Sequence, residues 1–271
     1  MWERYTIGQN KGGASMDQVL DRIREVIKAN KNIVLVSGSE VTRETGLNGV
    51  RAEHIAYDIE EKYGFSSDEI VSSLFLSRSV EKFYDYYRNI ILNKTDVELT
   101  GVHKAAAKLE KEGKLTAVVT KTVYGHFQQA GCENVVELYG SCEENRCPRC
   151  GRVYNSKFIK EAHDEPKCVD CEVILRPGFS LYGEMIDNGR LTKASNAIEY
   201  ADVLIVAGMS LNSLTWAKML RYYEGNNLIL INTEEKAGDE RANLRAYGNL
   251  SEIFTYITDY ETEKSSEAEE A

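Results

Sequence analysis

Four short apolar runs constrain the fold of this chain more than any other feature. The first, residues 32–38, follows a stretch at 16–29 whose apolar side chains recur at helical spacing. A continuous apolar run that ends in Ser-Gly is typical of a parallel strand covered by helices on both faces. The same pattern recurs at 115–120, 201–208 and 227–232. Helical segments lie near residues 103–112, 192–200 and 214–223. This alternation predicts an α/β fold with a Rossmann-like, doubly wound parallel sheet.

Two Cys-x-x-Cys pairs give the strongest chemical signal. They are Cys147 with Cys150 and Cys168 with Cys171, and 17 residues separate the pairs. Two tight turns at this spacing present four thiolates to one tetrahedral Zn²⁺. Because all four ligands come from the protein, the predicted zinc site is structural and has no open position for a reactive water. A disulfide or a redox-active pair is the weaker alternative.

The expected compartment and partners of the protein follow from two features, namely the absence of targeting and membrane segments in the sequence and its negative net charge. It shows no signal peptide and no apolar stretch of membrane length, so we expect a cytoplasmic protein with no membrane partner. The net charge of -10 argues against broad binding to nucleic acid, because a nucleic-acid protein usually presents a basic face.

The length and composition allow one large core with a smaller module attached. The chain has 271 residues, of which 42% are hydrophobic. Two stretches break the strand and helix alternation, an aromatic helical insert at about 48–95 and the zinc stretch at about 140–176, and we expect them to form a small domain. The large part then comprises about 14–47, 96–139 and 177–260. Residues 261–271 are predicted to be a solvated acidic tail beyond a single domain at 14–260.

Six segments carry glycine and polar residues near predicted strand ends or beside the zinc stretch. They are residues 38–51, 120–131, 136–140, 176–184, 208–211 and 231–234. In order and spacing these segments resemble the motifs of the sirtuins, which are NAD-dependent protein deacylases and, in some branches, ADP-ribosyltransferases. The chain is similar to a divergent, bacterial-type member of that family.

The resemblance implies a cleft that binds NAD or ADP-ribose at the carboxyl ends of the strands. Its implied nucleotide-binding residues are Gly38, Ser39, Glu40, Arg51, Lys121, Thr122, Gly208, Ser210, Asn232 and Glu234. The resemblance also implies an acyl-lysine peptide or protein partner between the two domains, paired to residues 178–184 by strand addition.

The residues that would carry the family's chemistry have changed. Deacylation needs a base with a pKa near neutrality, and the family's histidine is Tyr139 in this chain. A tyrosine phenol has an ordinary pKa of about 10 and is a poor base. Thr122 and Tyr124 replace the Asn and Asp that in sirtuins lie by the nicotinamide and ribose, and Lys121 replaces a Gln. A lone His126 is more often structural than catalytic. We therefore expect deacetylase activity to be weak or lost; the alternative is an active deacylase or ADP-ribosyltransferase with a rearranged site.

Glu40 replaces the second glycine of the family's phosphate-binding loop and adds both bulk and negative charge. A carboxylate about 4 Å from a phosphate, at an effective dielectric constant of about 20, costs about 4 kcal/mol. This corresponds to about a thousandfold in affinity. Lys121 or Arg43 could offset the charge, or Glu40 could turn outward, and the sequence leaves these alternatives open.

Overall fold

A six-stranded parallel sheet organises the fold in the computed structural model, which describes residues 15–47 and 53–259. The strands of the protein are β1 (Ile33–Ser37), β2 (Leu115–Thr120), β3 (Val135–Glu137), β4 (Asn145–Arg146), β5 (Val153–Tyr154), β6 (Val203–Ala207), β7 (Leu228–Asn232) and β8 (Leu244–Tyr247). The sheet has the order β3-β2-β1-β6-β7-β8, and β4 pairs with β5 in a separate antiparallel ribbon. The predicted doubly wound parallel sheet is confirmed, with a topological switch between β1 and β6.

The helices connect the strands and cover both faces of the sheet. They are α1 (Met16–Ala29), α2 (Ser39–Arg43), α3 (Glu53–Tyr63), α4 (Ser67–Ile70), α5 (Ser73–Arg78), α6 (Val80–Tyr86), α7 (Gly101–Lys111), α8 (His126–Gln129), α9 (Ser156–Glu161), α10 (Asn188–Glu199), α11 (Leu214–Met219) and α12 (Leu250–Thr258). Helix α1 starts at Met16 because Ser15 and Gln18 form a reciprocal capping box, in which each side chain accepts the other residue's backbone N–H.

Alternate residues of the central strands contribute their side chains to two cores on opposite faces of the sheet. In β1, Ile33 and Leu35 pack with α1, α7 and α12, whereas Val34 and Val36 pack with α10 and α11. All five residues of β1 are buried. A strand covered on both faces cannot alternate apolar with polar residues, and for this reason the sequence shows continuous apolar runs.

A third core joins the two stretches that interrupt the alternation. The aromatic side chains of α6 and the turn after it pack against residues of the zinc stretch. Within this core, the Tyr84 hydroxyl donates to the Leu175 carbonyl, and the Tyr87 hydroxyl donates to Asn145 Oδ1 over 2.9 Å. The helical insert and the zinc stretch therefore share one hydrophobic core, while the exact domain boundaries given above stay a prediction. The acidic tail at 261–271 lies outside the described residues.

Within residues 15–47 and 53–259, no helix combines the length and the apolar composition needed to cross a membrane.

Candidate functional site

The four paired cysteines come together at the edge of the third core. The Sγ atoms of Cys147, Cys150, Cys168 and Cys171 all lie within 4.8 Å of one another. Tetrahedral Zn–S bonds of about 2.3 Å place sulfur atoms about 3.8 Å apart, and the Cys150 and Cys168 sulfurs are separated by 3.7 Å. The donor set and its spacing fit a structural zinc ion, so these four residues are the ones that would hold it.

Local backbone geometry holds the thiols in this arrangement. Each pair is followed by a residue in the left-handed region, Gly151 with φ 75° and Glu172 with φ 56°, which turns the chain back on itself. The Cys150 N–H donates to Cys147 Sγ over 3.4 Å. The Tyr154 hydroxyl donates to Cys168 Sγ over 3.2 Å and lowers the pKa of that thiol to about 6. Such hydrogen bonds favour the thiolate, which is the form that binds a metal.

The implied nucleotide-binding residues follow four parallel strands and therefore lie along one edge of the sheet. Gly38, Ser39 and Glu40 follow β1, Lys121 and Thr122 follow β2, Gly208 and Ser210 follow β6, and Asn232 and Glu234 lie at or just after the end of β7. Ligands of doubly wound sheets bind at this edge, in the crevice at the switch between β1 and β6.

Two glycines touch at the centre of that edge. The Gly38 N–H donates to the Ala207 carbonyl over 2.8 Å, which brings the turn after β1 against the turn after β6. A Cβ atom on Gly38 would lie 2.4 Å from the Gly208 carbonyl oxygen, and Gly208 itself has φ 67°. Both positions therefore require glycine, and together they form a narrow floor to the crevice.

Glu40 is buried, with 5% of its surface exposed, and its charge is neutralised from within the protein. Lys236 Nζ donates to Oε1, Thr233 Oγ1 donates to Oε2 over 3.0 Å, and an Arg43 guanidinium nitrogen lies 3.9 Å from Oε1. Burial raises the pKa of Glu40, but the hydrogen bond and charge of Lys236 and the hydrogen bonds from Thr233 outweigh it and lower the pKa overall. Arg43 therefore offsets part of the Glu40 charge, as one of the alternatives from the sequence proposed, and the Glu40 side chain points inward instead of outward. Its main partner is Lys236.

Lys121 does not pair with Glu40. Its Nζ lies 3.5 Å from Ser213 Oγ and 5.4 Å from the centroid of the Trp216 ring. Burial lowers the pKa of Lys121. Next to it, Thr122 Oγ1 lies 3.0 Å from Thr120 Oγ1, so this side chain turns back toward β2.

The rings of Tyr124, His126 and His103 pack against one another in one cluster. Tyr124 stacks on His126 with ring centroids 5.4 Å apart, and His103 meets His126 edge to face at 5.6 Å. His126 is 2% exposed and its Nε2 contacts the Lys94 carbonyl at 2.8 Å. His126 therefore packs in the interior of the protein.

Tyr139 lies just after β3 and lines a polar cavity of about 440 Å³. Its carbonyl accepts the Ser180 N–H over 2.7 Å, which fixes the segment at 178–184 beside it. The other lining residues include Phe179, Ser180, Arg146, Arg176, Arg190, Glu184 and Asp187. All four histidines lie in the described part of the chain, and none of them lines this cavity.

Residues 178–184 run as an extended segment between the sheet and the helical insert. The Tyr182 N–H donates to the Val71 carbonyl over 2.8 Å, and the Tyr182 carbonyl accepts the Ser73 N–H over 3.3 Å. One edge of this segment is therefore already paired within the protein, and a peptide would have to use its remaining backbone groups.

The other implied nucleotide residues differ in their surroundings. Asn232 is fully buried, and its side-chain amide bonds both the N–H and the carbonyl of Met209, at 2.9 and 3.0 Å, so it positions the turn after β6. Ser210 is half-buried and its Oγ accepts the Asn212 N–H over 3.2 Å. Ser39 and Glu234 are exposed at the same edge. Arg51 lies outside the described residues.

Sequence reasoning missed four residues of this edge, namely Thr233, Lys236, Ser213 and Trp216. Their partners are distant in the chain, since 196 positions separate Glu40 from Lys236 and 92 separate Lys121 from Ser213. The available signal was position, because each of these residues follows a predicted strand whose carboxyl end reaches the same edge.

Comparisons with known proteins agree with the motifs. Residues 38–214 match the Sir2 family. The NAD-dependent protein deacetylase of Clostridium perfringens is 34% identical over 245 residues, covering 90% of this chain and 100% of that protein. A mutant Sir2 homologue solved with ADP-ribose is 25% identical, with a TM-score of 0.76 and coverage of 91% and 98% of the two chains. A Sir2 histidine-to-tyrosine mutant solved with a p53 peptide and NAD is 25% identical, with a TM-score of 0.72 and the same coverage. This chain therefore belongs to the Sir2 family of NAD-dependent protein deacylases, the sirtuins.

Proposed function

We propose that this protein binds an ADP-ribose-type nucleotide, either NAD or ADP-ribose, at the β1–β6 crevice and has weak or no deacetylase activity. The observation that carries the proposal is Tyr139 at the end of β3, in a cavity that no histidine lines. General-base catalysis contributes about 10²- to 10⁴-fold to a rate, and a tyrosine phenol is a poor base at neutral pH.

The histidines offer no replacement for the missing base. Burial, with a smaller contribution from the neighbouring His126, lowers the pKa of His103 to about 3. Burial also lowers the pKa of His126. His54 and His163 are exposed, on α3 and after α9. A base must come within hydrogen-bond reach of the hydroxyl it activates, and the two buried rings are enclosed by Tyr124, Phe127 and Lys94.

Glu137 has a pKa that suits a general base, but its position in the structure does not suit that role. Burial raises its pKa to about 7, against hydrogen bonds that lower it. Its two carboxylate oxygens accept from the Gly125 N–H and from Gln128 Nε2, both over 3.1 Å, and the residue is 6% exposed. We assign it to holding the turn after β2 against β3.

The nucleotide part of the proposal is supported by the glycine floor and by the internal pairing of Glu40. Gly38 and Gly208 carry no side chains, so their backbones can lie close together and still leave room above them for a ligand's phosphates, as in other doubly wound folds. With Lys236 and Arg43 against its carboxylate, Glu40 would repel a phosphate by much less than the bare charge considered above. The Sir2 homologue that was solved with ADP-ribose provides independent support.

The partner part of the proposal concerns an acyl-lysine peptide bound along residues 178–184. Tyr182 is 46% exposed and Met185 is 85% exposed, so apolar surface borders the segment. The histidine-to-tyrosine Sir2 mutant was solved with both a p53 peptide and NAD, so the substitution is compatible with both ligands in that protein.

A second candidate function is an active NAD-dependent deacylase or ADP-ribosyltransferase with a rearranged site. The observation that favours it is the 34% identity to a protein named NAD-dependent protein deacetylase, aligned over its full length.

Calorimetric titration with ADP-ribose and NAD tests the proposed binding. Heat of binding with one nucleotide per chain is expected, and it should vanish when Gly38→Val blocks the floor at Gly208. Cys132→Ala, which changes a buried residue between α8 and β3, is the control variant and should still bind the nucleotide. Absence of binding of both nucleotides at millimolar concentration would overturn the nucleotide part.

A further inference from the structure

Lys121 lies over the switch point of the sheet. It follows β2, whereas Ser213 and Trp216 belong to the segment after β6. Strand β1 lies between β2 and β6 in the sheet, so the contact between Lys121 and Ser213 spans the carboxyl end of β1. The ammonium group therefore lies in the crevice where a doubly wound sheet binds its ligand.

In the described part of the chain, no acid balances the charge of Lys121. Within residues 15–47 and 53–259, no carboxylate oxygen lies within 4.0 Å of Lys121 Nζ, and its polar neighbours are Ser213 Oγ and the face of the Trp216 ring. The other cations of this edge behave differently, because Lys236 and Arg43 both face Glu40. Desolvation without a compensating charge lowers the pKa of Lys121, and the group gains most from an anion that enters the crevice.

We infer that Lys121 is a specificity-determining residue, which makes the crevice favour nucleotides without a cationic ring, such as ADP-ribose and NADH, over NAD⁺. The inference rests on the proposed nucleotide site. NADH and NAD⁺ have nearly the same size, but the nicotinamide ring of NAD⁺ carries one more positive charge. An ammonium held about 8 Å from that charge, at an effective dielectric constant of about 20, would disfavour NAD⁺ by more than tenfold.

Calorimetry at pH 7.5 and low salt, with NADH, NAD⁺ and ADP-ribose as probes, tests the inference. We expect the dissociation constant for NADH to be about tenfold or more below that for NAD⁺ in the unaltered chain. Lys121→Gln should bring the two constants within about threefold, whereas Lys121→Arg, which keeps the charge, should retain the preference. Salt at about 0.5 M should weaken the preference in the unaltered chain.

The outcomes separate the two proposals. If NADH and NAD⁺ bind equally tightly, or if Lys121→Gln leaves their ratio unchanged, the role of Lys121 is overturned while the nucleotide site stands. If none of the three nucleotides binds at millimolar concentration, both proposals are overturned. Thermal unfolding of each variant shows whether it is folded, so that a folding defect is not read as a binding effect.

Discussion

Glu40 and Lys236, which are 196 positions apart in the chain, form an ion pair that joins the turn after β1 to the turn after β7. The carboxylate is buried while the lysine side chain is 27% exposed. A charge in place of a phosphate-loop glycine is therefore accommodated by a partner on a neighbouring loop, and the two positions are expected to depend on each other.

The first prediction concerns the stability of this pair. Lys236→Met leaves a buried carboxylate with only Thr233 and a more distant Arg43, and we expect the free energy of unfolding to fall by about 2–3 kcal/mol. The double variant Glu40→Gln with Lys236→Met should recover most of that loss. Urea unfolding at pH 7 measures both, and a loss below about 0.5 kcal/mol in Lys236→Met would contradict the pairing.

The second prediction concerns the effect of Glu40 on ligand affinity. Glu40→Gln removes the carboxylate and frees the charges of Lys236 and Arg43, so ADP-ribose should bind about tenfold more tightly. Glu235→Gln, an exposed charge change in the loop after β7, is the matched control and should have little effect. Calorimetry measures both variants; equal or weaker binding by Glu40→Gln would show that Glu40 does not oppose the phosphates.

The third prediction concerns acid stability. Because the folded pKa of His103 is about 3, below the ordinary value of 6.5, the folded state binds fewer protons than the unfolded state between these pH values. The contribution to stability is therefore complete above pH 6.5 and is lost as the pH falls toward 3, by about 1.4 kcal/mol per pH unit.

His103→Phe tests this cause separately from the titration of carboxylates. The variant keeps a ring against Phe127, and the plot of its unfolding free energy against pH should be flatter than that of the unaltered chain between pH 6 and 4. Parallel plots for the two proteins would exclude His103 as the source.

The fourth prediction concerns the cysteine cluster. The purified protein should contain one zinc per chain by elemental analysis, and a chelator should lower its thermal stability. Cys168→Ser should lose the metal, whereas Cys132→Ser, at a buried thiol outside the cluster, should retain it. A zinc-free protein of unchanged stability would refute the assignment.

The sequence predicted the parts of the fold that local pattern encodes. Strands β1, β2, β6 and β7 are recognisable because nearly all their residues are buried and apolar. The edge strands β3 and β8 were not predicted, since they have three and four residues and most of those are only half-buried. An edge strand is covered less completely, so its apolar pattern is weak.

The candidate site was predictable in position but not in its contacts. The cysteine ligands were recognisable because their spacing is local. The direction of the Glu40 side chain depends on Lys236, and that of Lys121 depends on Ser213. The sequence shows only that these residues follow strands that end at one edge, not which of them pair. For this reason the sequence indicated Glu40, Arg43 and Lys121 but not Lys236, and it did not show that the charged residues lie in two separate groups.

The most direct test of the central claim is the rate at which the purified protein removes acetyl groups from an acetyl-lysine p53 peptide in the presence of NAD. The Clostridium perfringens relative, assayed under the same conditions, provides the reference rate. Without a histidine beside the cavity at Tyr139, we predict a rate about a hundredfold or more below that reference. A rate within about tenfold of the reference would contradict the account, because it would require an efficient base at this site.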